Sequence, residues 1–357
     1  KGGKGDDRIY GGYGDDILYG QEGNDHIEGE QGRDYIQGDA GNDEIEGGSE
    51  SDEIYGGSGD DSLNGGTGAD QMYGGDGSDT YYVDNAGDYV SDTGLNGTDV
   101  LYVMSYLGSN YQLGDGLDNL VIDSSARNVN VMGNSSNNSI TGNDSRNAID
   151  GGLGNDNLDG GSGDDSILGG EGFDLIIGGL GADSIDGGNG IDTIDYTQAA
   201  AGFVSVNLST GKSSGDGNDA LKSIENVICG EGDDTIIGSI YDNVFTGGDG
   251  FDLITGGSGR DVFRYTSLLD SDLTSNDWIK DLAIGSDSID AVYAVSKGFI
   301  AGTKSGSGLK VTAFSETSIQ KTLTASVFSA KGAAVFTYQS SSTTQTYLAL
   351  NDTVAGF

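Results

Sequence analysis

Over residues 1–82, large apolar residues recur every ninth position, each standing between two mostly polar neighbours. From Gly2 the units read GGKGDDRIY, GGYGDDILY, GQEGNDHIE, GEQGRDYIQ, GDAGNDEIE, GGSESDEIY, GGSGDDSLN, GGTGADQMY and GGDGSDTYY. The apolar column is Ile9, Leu18, Ile27, Ile36, Ile45, Ile54, Leu63, Met72 and Tyr81. Polar, apolar, polar is the alternation of a very short strand with one buried face. Glycine opens every unit, which argues against helix, where each would cost roughly 1 kcal/mol. Glycine costs little in turns that need φ > 0 or a close backbone approach. Turn plus strand, repeated, predicts a parallel coil in which each apolar residue stacks on its predecessors.

Position six adds the chemistry. It is aspartate in every unit: Asp7, Asp16, Asp25, Asp34, Asp43, Asp52, Asp61, Asp70 and Asp79. If two units make one coil, every second aspartate lies on one edge, about 4.8 Å from the next. Such neighbours repel by roughly 1 kcal/mol per pair even in water. Calcium reverses that sign, because it takes 6–8 oxygen ligands at about 2.3–2.6 Å from carboxylates and carbonyls. Strict phasing over nine units opposes the alternative of a merely solvating, disordered acidic tract. The whole chain carries 58 Asp+Glu against 16 Lys+Arg, for a formal charge of −42, which disfavours nucleic acid or an anionic membrane as direct partner. Several calcium ions are the expected cofactor and counterion. The absence of proline suits a ladder in which every backbone N–H is a donor.

The unit resembles the G-G-x-G-x-D-x-U-x nonapeptide of RTX calcium-binding proteins. That resemblance implies an all-β fold, a right-handed parallel β-solenoid known as a calcium β-roll. It also implies type I secretion with an uncleaved C-terminal signal, and folding outside the cell on calcium. RTX modules are often appended to proteases, lipases or epimerases.

Read in order, residues 1–82 are the first block. Residues 83–132 have longer strand-like runs at 100–104 and 120–122 and are expected to be wider, calcium-free coils or a lateral bulge; their D-N-A-G-D passage is similar to one found in many RTX proteins. A second block, 133–195, begins with Asn138 and Asn147 at position six, which predicts an amide ladder there. Aspartate then returns as Asp156, Asp165, Asp174, Asp183 and Asp192, over Leu158, Ile167, Ile176, Ile185 and Ile194. Residues 196–228 read as an irregular β insertion. A third block, 229–264, carries Asp234, Asp252 and Asp261, with Asn243 between them. These aspartates of the three blocks are the candidate metal ligands.

Residues 265–357 lose glycine and are expected to form a β-rich cap, since an uncovered solenoid end is an aggregation edge. Within them, DWIKDLAIGSDSID from Asp277 resembles the segment that closes many RTX solenoids, and its aspartates are candidates for one more ion. The tail 346–357 resembles those of cyanobacterial and marine bacterial surface proteins.

Nothing in the sequence points to catalysis. The one histidine, His26, occupies a variable outward position and reads as solvated. A triad needs a histidine beside a nucleophile, and neither H-E-x-x-H nor a P-loop is present. Carboxylates suited to glycoside hydrolysis abound, but the period accounts for nearly all of them. Cys229 is alone, stands where glycine opens a unit, and lacks a neighbouring cation, so it reads as a small turn residue rather than a reactive thiol. No apolar run approaches the ~20 residues of a transmembrane helix. The first residue already lies inside a repeat, the expectation for a piece of a longer chain. The expected function is therefore not enzymatic. It is a secreted, extracellular, calcium-binding structural component of the bacterial cell surface, such as a layer, filament or adhesin stalk. Self-association is expected because a solenoid is open-ended. The alternative is a C-terminal folding and secretion module of a larger enzyme or toxin.

Overall fold

Each strand of the first block pairs in parallel with the strand eighteen residues on. Ile9 is registered with Ile27, Ile27 with Ile45, Ile45 with Leu63 and Leu63 with Tyr81. The alternate strands form a second ladder through Leu18, Ile36, Ile54, Met72 and Val90. Two nonapeptides thus make one coil, and the position-eight residues are its interior; from Ile27 to Tyr81 they are essentially inaccessible. The strands are longer than the three residues the alternation suggests. Strands such as His26–Gln31 and Glu53–Ser58 run on through the glycines, with Gly48 in register with Gly66 and Gly57 with Gly75.

This is a computed structural model describing residues 1–94, 97–105, 107, 111–199, 202–266, 277–282, 286–288 and 290, and the backbone alone of 289, 291, 298–305, 308–315, 333–339 and 344–350. The chain forms two compact units, Lys1–Asp192 and Thr193–Phe357. Both contain the right-handed parallel β-solenoid that the resemblance implies. No helix occurs among the described residues, so none is long and apolar enough to cross a membrane.

In the first unit the coil widens after the first block. Thr80 is registered with Val100, Val100 with Asn119 and Asn119 with Ser139, before Ser139 pairs with Asn157 at the eighteen-residue spacing again. The wider coils are filled by buried Leu101, Val103, Leu113, Leu117, Leu120 and Ile122.

In the second unit one sheet runs from Thr193–Tyr196 through Asn226–Cys229, Val244–Thr246 and Val262–Tyr265 to Ser288–Ala291, all parallel. The other runs from Ser205–Asn207 through Thr235–Ile237 and Leu253–Thr255 to Trp278–Ile279. Residues 196–228 add an antiparallel hairpin, with Lys212–Ser214 against Ser205–Asn207. It is tied down by a buried hydrogen-bonded cluster in which the Tyr196 hydroxyl lies 2.7 Å from Ser213 Oγ and 2.9 Å from Asp219 Oδ2, and Ser213 donates to Asp219 (2.6 Å). After Trp278–Ile279 the pairing turns antiparallel through Gly308–Ser315, Gly298–Ser305, Thr344–Leu350 and Ala333–Gln339. That switch ends the parallel pairing of this sheet. Of the tail resemblance at 346–357, residues 351–357 lie outside the described residues.

Cys229 departs from its expected place. It is the last residue of a strand, registered with Tyr196 and only 2 % exposed. Burial pushes its thiol well above the ordinary range, with the nearby Asp234 and Asp252 charges adding to the shift.

Candidate metal centre

The turn between strands places each position-six aspartate inside the corner of the coil. Its Oδ1 accepts the backbone N–H of the aspartate one coil earlier. Asp25 N–H donates to Asp43 (2.7 Å), Asp43 N–H to Asp61 (2.7 Å) and Asp61 N–H to Asp79 (2.8 Å). The other corner repeats this through Asp16, Asp34, Asp52 and Asp70. In the second block Asp156 N–H donates to Asp174, Asp174 N–H to Asp192 and Asp165 N–H to Asp183. In the second unit Asp234 N–H donates to Asp252, and Asn243 N–H to Asp261. The aspartates are therefore stacked at eighteen-residue intervals, as two-unit coils require.

The second oxygen decides what the columns can hold. Oδ2 is buried and has no hydrogen-bond partner in Asp25, Asp34, Asp43, Asp52, Asp61, Asp70, Asp79, Asp156, Asp165, Asp174 and Asp234, and likewise at the block's start in Asp7 and Asp16. A buried carboxylate oxygen left without a donor is strongly unfavourable. A backbone carbonyl faces it: a Cβ on Gly38 would collide with both Oδ2 of Asp43 and the carbonyl oxygen of Gly56. Position one is glycine because those two oxygens converge on its Cα. A corner of carboxylate and carbonyl oxygens without N–H donors fits a hard divalent cation. Without one, burial drives the carboxyls upward, to about 6 for Asp43, Asp52 and Asp79, about 7 for Asp70 and about 8 for Asp61. Charged neighbours in the same corners add to the rise, while the backbone N–H bonds oppose it.

The columns continue past the nonapeptides. Asp70 N–H donates to Asp88 (3.1 Å) and Asp79 N–H to Asp99 (2.8 Å), both within residues expected to be free of calcium turns. Asp88 was findable, since it keeps the eighteen-residue interval from Asp70; Asp99, twenty residues after Asp79, breaks that interval. Asp277 and Asp287, singled out in the closing segment, take the next places after Asp252 and Asp261. A second ladder on the outer corner escaped the sequence reading. Position-five side chains accept from the following coil: Asp6 from Asn24 N–H (2.9 Å), Asn24 from Asn42 N–H (2.8 Å) and Asn42 from Asp60 N–H (3.0 Å).

The asparagines do not form the expected simple amide ladder. Asn138 and Asn147 turn Oδ1 to N–H groups of their own turn, at Asn134 and Asn143, rather than to the preceding coil. Asn243 does the same with Ser239. An amide, unlike a carboxylate, can also donate, and Asn138 Nδ2 donates to the carbonyls of Leu117 and Asp118.

His26 is not a lone solvated side chain. Its ring nitrogens lie 2.8 Å from Glu28 and 2.8 Å from Glu44, and these hydrogen bonds raise its pKa. Strand pairing puts Glu44 directly beside it, one coil on. It holds two carboxylates, Glu28 and Glu44.

Residues 1–27, 19–54, 46–81, 55–90, 130–158 and 159–194 match the family described as RTX calcium-binding nonapeptide repeat (4 copies). Residues 186–353 match the family described as Peptidase M10 serralysin C terminal. No curated protein matches the chain.

Proposed function

Since this chain is an RTX calcium-binding repeat protein, exported by the type I route and extracellular, we propose that it is a calcium-hardened structural component of the bacterial cell surface. The observation that carries this reading is the set of stacked, buried carboxylates whose Oδ2 atoms face backbone carbonyls and lack donors. The repeat aspartates named above are the proposed ligands. Calcium between successive aspartates of a column supplies the positive charge that the corners lack. Extracellular calcium modules bind at roughly 10⁻⁴–10⁻³ M. With free ion about 100-fold above the dissociation constant, each independent site adds about 2.7 kcal/mol. In a calcium-poor cytosol nearly all of that is withheld, which keeps the chain unfolded for export.

A stalk, layer or filament follows if calcium-loaded copies associate, because repeats contact only their neighbours and end in pairing edges. The serralysin C-terminal match favours a second reading, a folding and secretion module serving an enzyme in the same protein. That family is a non-catalytic part of protease-like proteins, and the repeats are not catalytic. Light scattering and electron microscopy in chelator and in millimolar calcium separate the two. Calcium-dependent filaments or sheets support the structural role. A strictly monomeric, calcium-saturated chain supports the module.

A further inference from the structure

Asp79 is the last repeat aspartate of the first block, and the two carboxylates gathered around it come from outside any nonapeptide. Asp99 takes the next place in the column, accepting the Asp79 N–H. Asp92 arrives from the passage between them; its Oδ1 accepts the N–H groups of Gly75 (3.0 Å) and Gly94 (3.2 Å). Gly94 lies so close to the Gly75 carbonyl that a Cβ there would strike the backbone, so the passage is seated firmly on the last repeat. One carboxylate oxygen from each of Asp79, Asp92 and Asp99 lies within 4.8 Å of the others, and all three residues are buried.

A packed acid cluster alone would not indicate a ligand. One further group points into the same place, beside an unpartnered oxygen of Asp79 itself. Asp79, 1 % exposed, has its Oδ2 without a hydrogen-bond partner, and beside it lies the wholly buried hydroxyl of Tyr81, which has no side-chain partner and touches only the Gly74 backbone. Both oxygens converge on Gly74, where a Cβ would strike each of them. The charges of Asp92, Asp79 and Asp99 all act on that hydroxyl. Nowhere else in the first block does the position-eight residue bring an oxygen into the corner, because its other occupants are Ile, Leu and Met.

We propose that Asp79, Asp92 and Asp99, with the Tyr81 hydroxyl as a neutral fourth oxygen, form a separate divalent-cation site at the seam between the nonapeptide coils and the wider ones. The donors are all hard oxygens, with no thiolate or imidazole, and three carboxylates bring more negative charge than one ion neutralises. That set selects calcium over softer metals. Oxygens no more than 4.8 Å apart can reach a single ion with ligands at about 2.4 Å. The site fastens residues 83–94 to the last repeat, where a column built on eighteen residues meets a coil of twenty. Because Asp79 belongs to both the column and this site, the inference rests on the calcium reading above.

The test is a count of bound calcium by equilibrium dialysis and plasma mass spectrometry on the full chain and on Asp92→Asn and Asp99→Asn. Asparagine keeps the Oδ1 acceptor of each backbone bond and replaces the charged second oxygen by an NH2 group that cannot bind a cation. The expected result is one ion fewer per chain in either variant, with the circular dichroism of the calcium-saturated form unchanged. An unchanged ion count in folded variants overturns the proposal and leaves Asp92 and Asp99 sharing a proton instead. A parent chain that binds no calcium overturns the repeat reading as well, so the two failures are distinguishable. Should both variants fail to fold, Tyr81→Phe decides: the site requires one ion to bind roughly 3- to 10-fold more weakly, the loss of about one hydrogen-bond-sized interaction. Unchanged affinities at every ion overturn it.

Discussion

Within the first unit, two kinds of coil follow one path and close their corners with opposite chemistry. In the nonapeptide coils, corner carbonyls meet carboxylate oxygens that cannot donate. In the wider coils, carbonyls meet amides from the first two period-nine units of the second block. Asn134 Nδ2 donates to Gly114 and Leu117, both at 2.8 Å, and Asn143 Nδ2 donates to Asp123 (2.7 Å) and Ala126 (2.6 Å). Asparagine carries both donors and an acceptor, so it completes a corner by itself, whereas aspartate completes one only with a cation. The same backbone route is thus self-sufficient in one stretch and conditional in the other.

The comparison breaks most visibly at Asp43. It lies between Asp25 and Asp61 and borders two intersite positions, whereas Asp7 at the column's start borders one. Asp43→Asn should therefore destabilise the calcium-saturated chain by several kcal/mol, about twice the effect of Asp7→Asn, given about 2.7 kcal/mol per site at 100-fold saturation. Calcium titrations of both variants, followed by tyrosine fluorescence, check this; equal midpoint shifts would contradict two-unit stacking.

The reverse exchange is Asn143→Asp. It takes the donors from two carbonyls and places an unpaired charge beside them. A loss of about 2–4 kcal/mol is expected in thermal unfolding, from the cost of buried unsatisfied groups. Partial recovery in high calcium would show that the amide stands in for the ion.

Acid should act on the two coil types differently. In the ion-free chain the Asp43, Asp52, Asp61, Asp70 and Asp79 carboxyls are pushed up to between about 6 and about 8 by burial, above an unfolded value near 3.9. A raised folded pKa gives stability that is fully present below the unfolded pKa and is lost as pH rises through the folded one. In chelator, therefore, β-sheet circular dichroism should grow as pH falls from 8 to 5, while the asparagine corners contribute no such dependence. A flat profile would mean that the corner carboxylates are solvated.

The smallest effect concerns departures from glycine at turn positions. Glu30 is held at φ 75° and Gln21 at φ 90°, where a side chain costs about 1–2 kcal/mol. Glu30→Gly should raise the melting temperature by a few degrees, equivalent to about 1 kcal/mol, without altering the ion count.

Most of this organisation was legible because the period is strict. One apolar and one acidic residue in nine gave the coil, its interior and its corners, and Ile27 and Asp25 are where the spacing placed them. What escaped was chemistry without period. Asp92 and Asp99 join Asp79 only through a passage of irregular length, and no spacing rule relates them. The position-five ladder was hidden because Asp, Asn, Arg, Ser and Ala all occur there, with the side chain used in some coils and only the N–H in others. The asparagine corners were misjudged because identity of position suggested identity of bonding, yet an amide prefers its own turn once it can donate as well.

The most direct test of the central claim is circular dichroism during a calcium titration of the chelator-treated chain at neutral pH. A cooperative gain of β-sheet signal between about 0.1 and a few millimolar calcium is predicted, in the affinity range of extracellular calcium modules. The same spectrum in chelator and in saturating calcium would show that the coil stands without its ions, and would contradict the account.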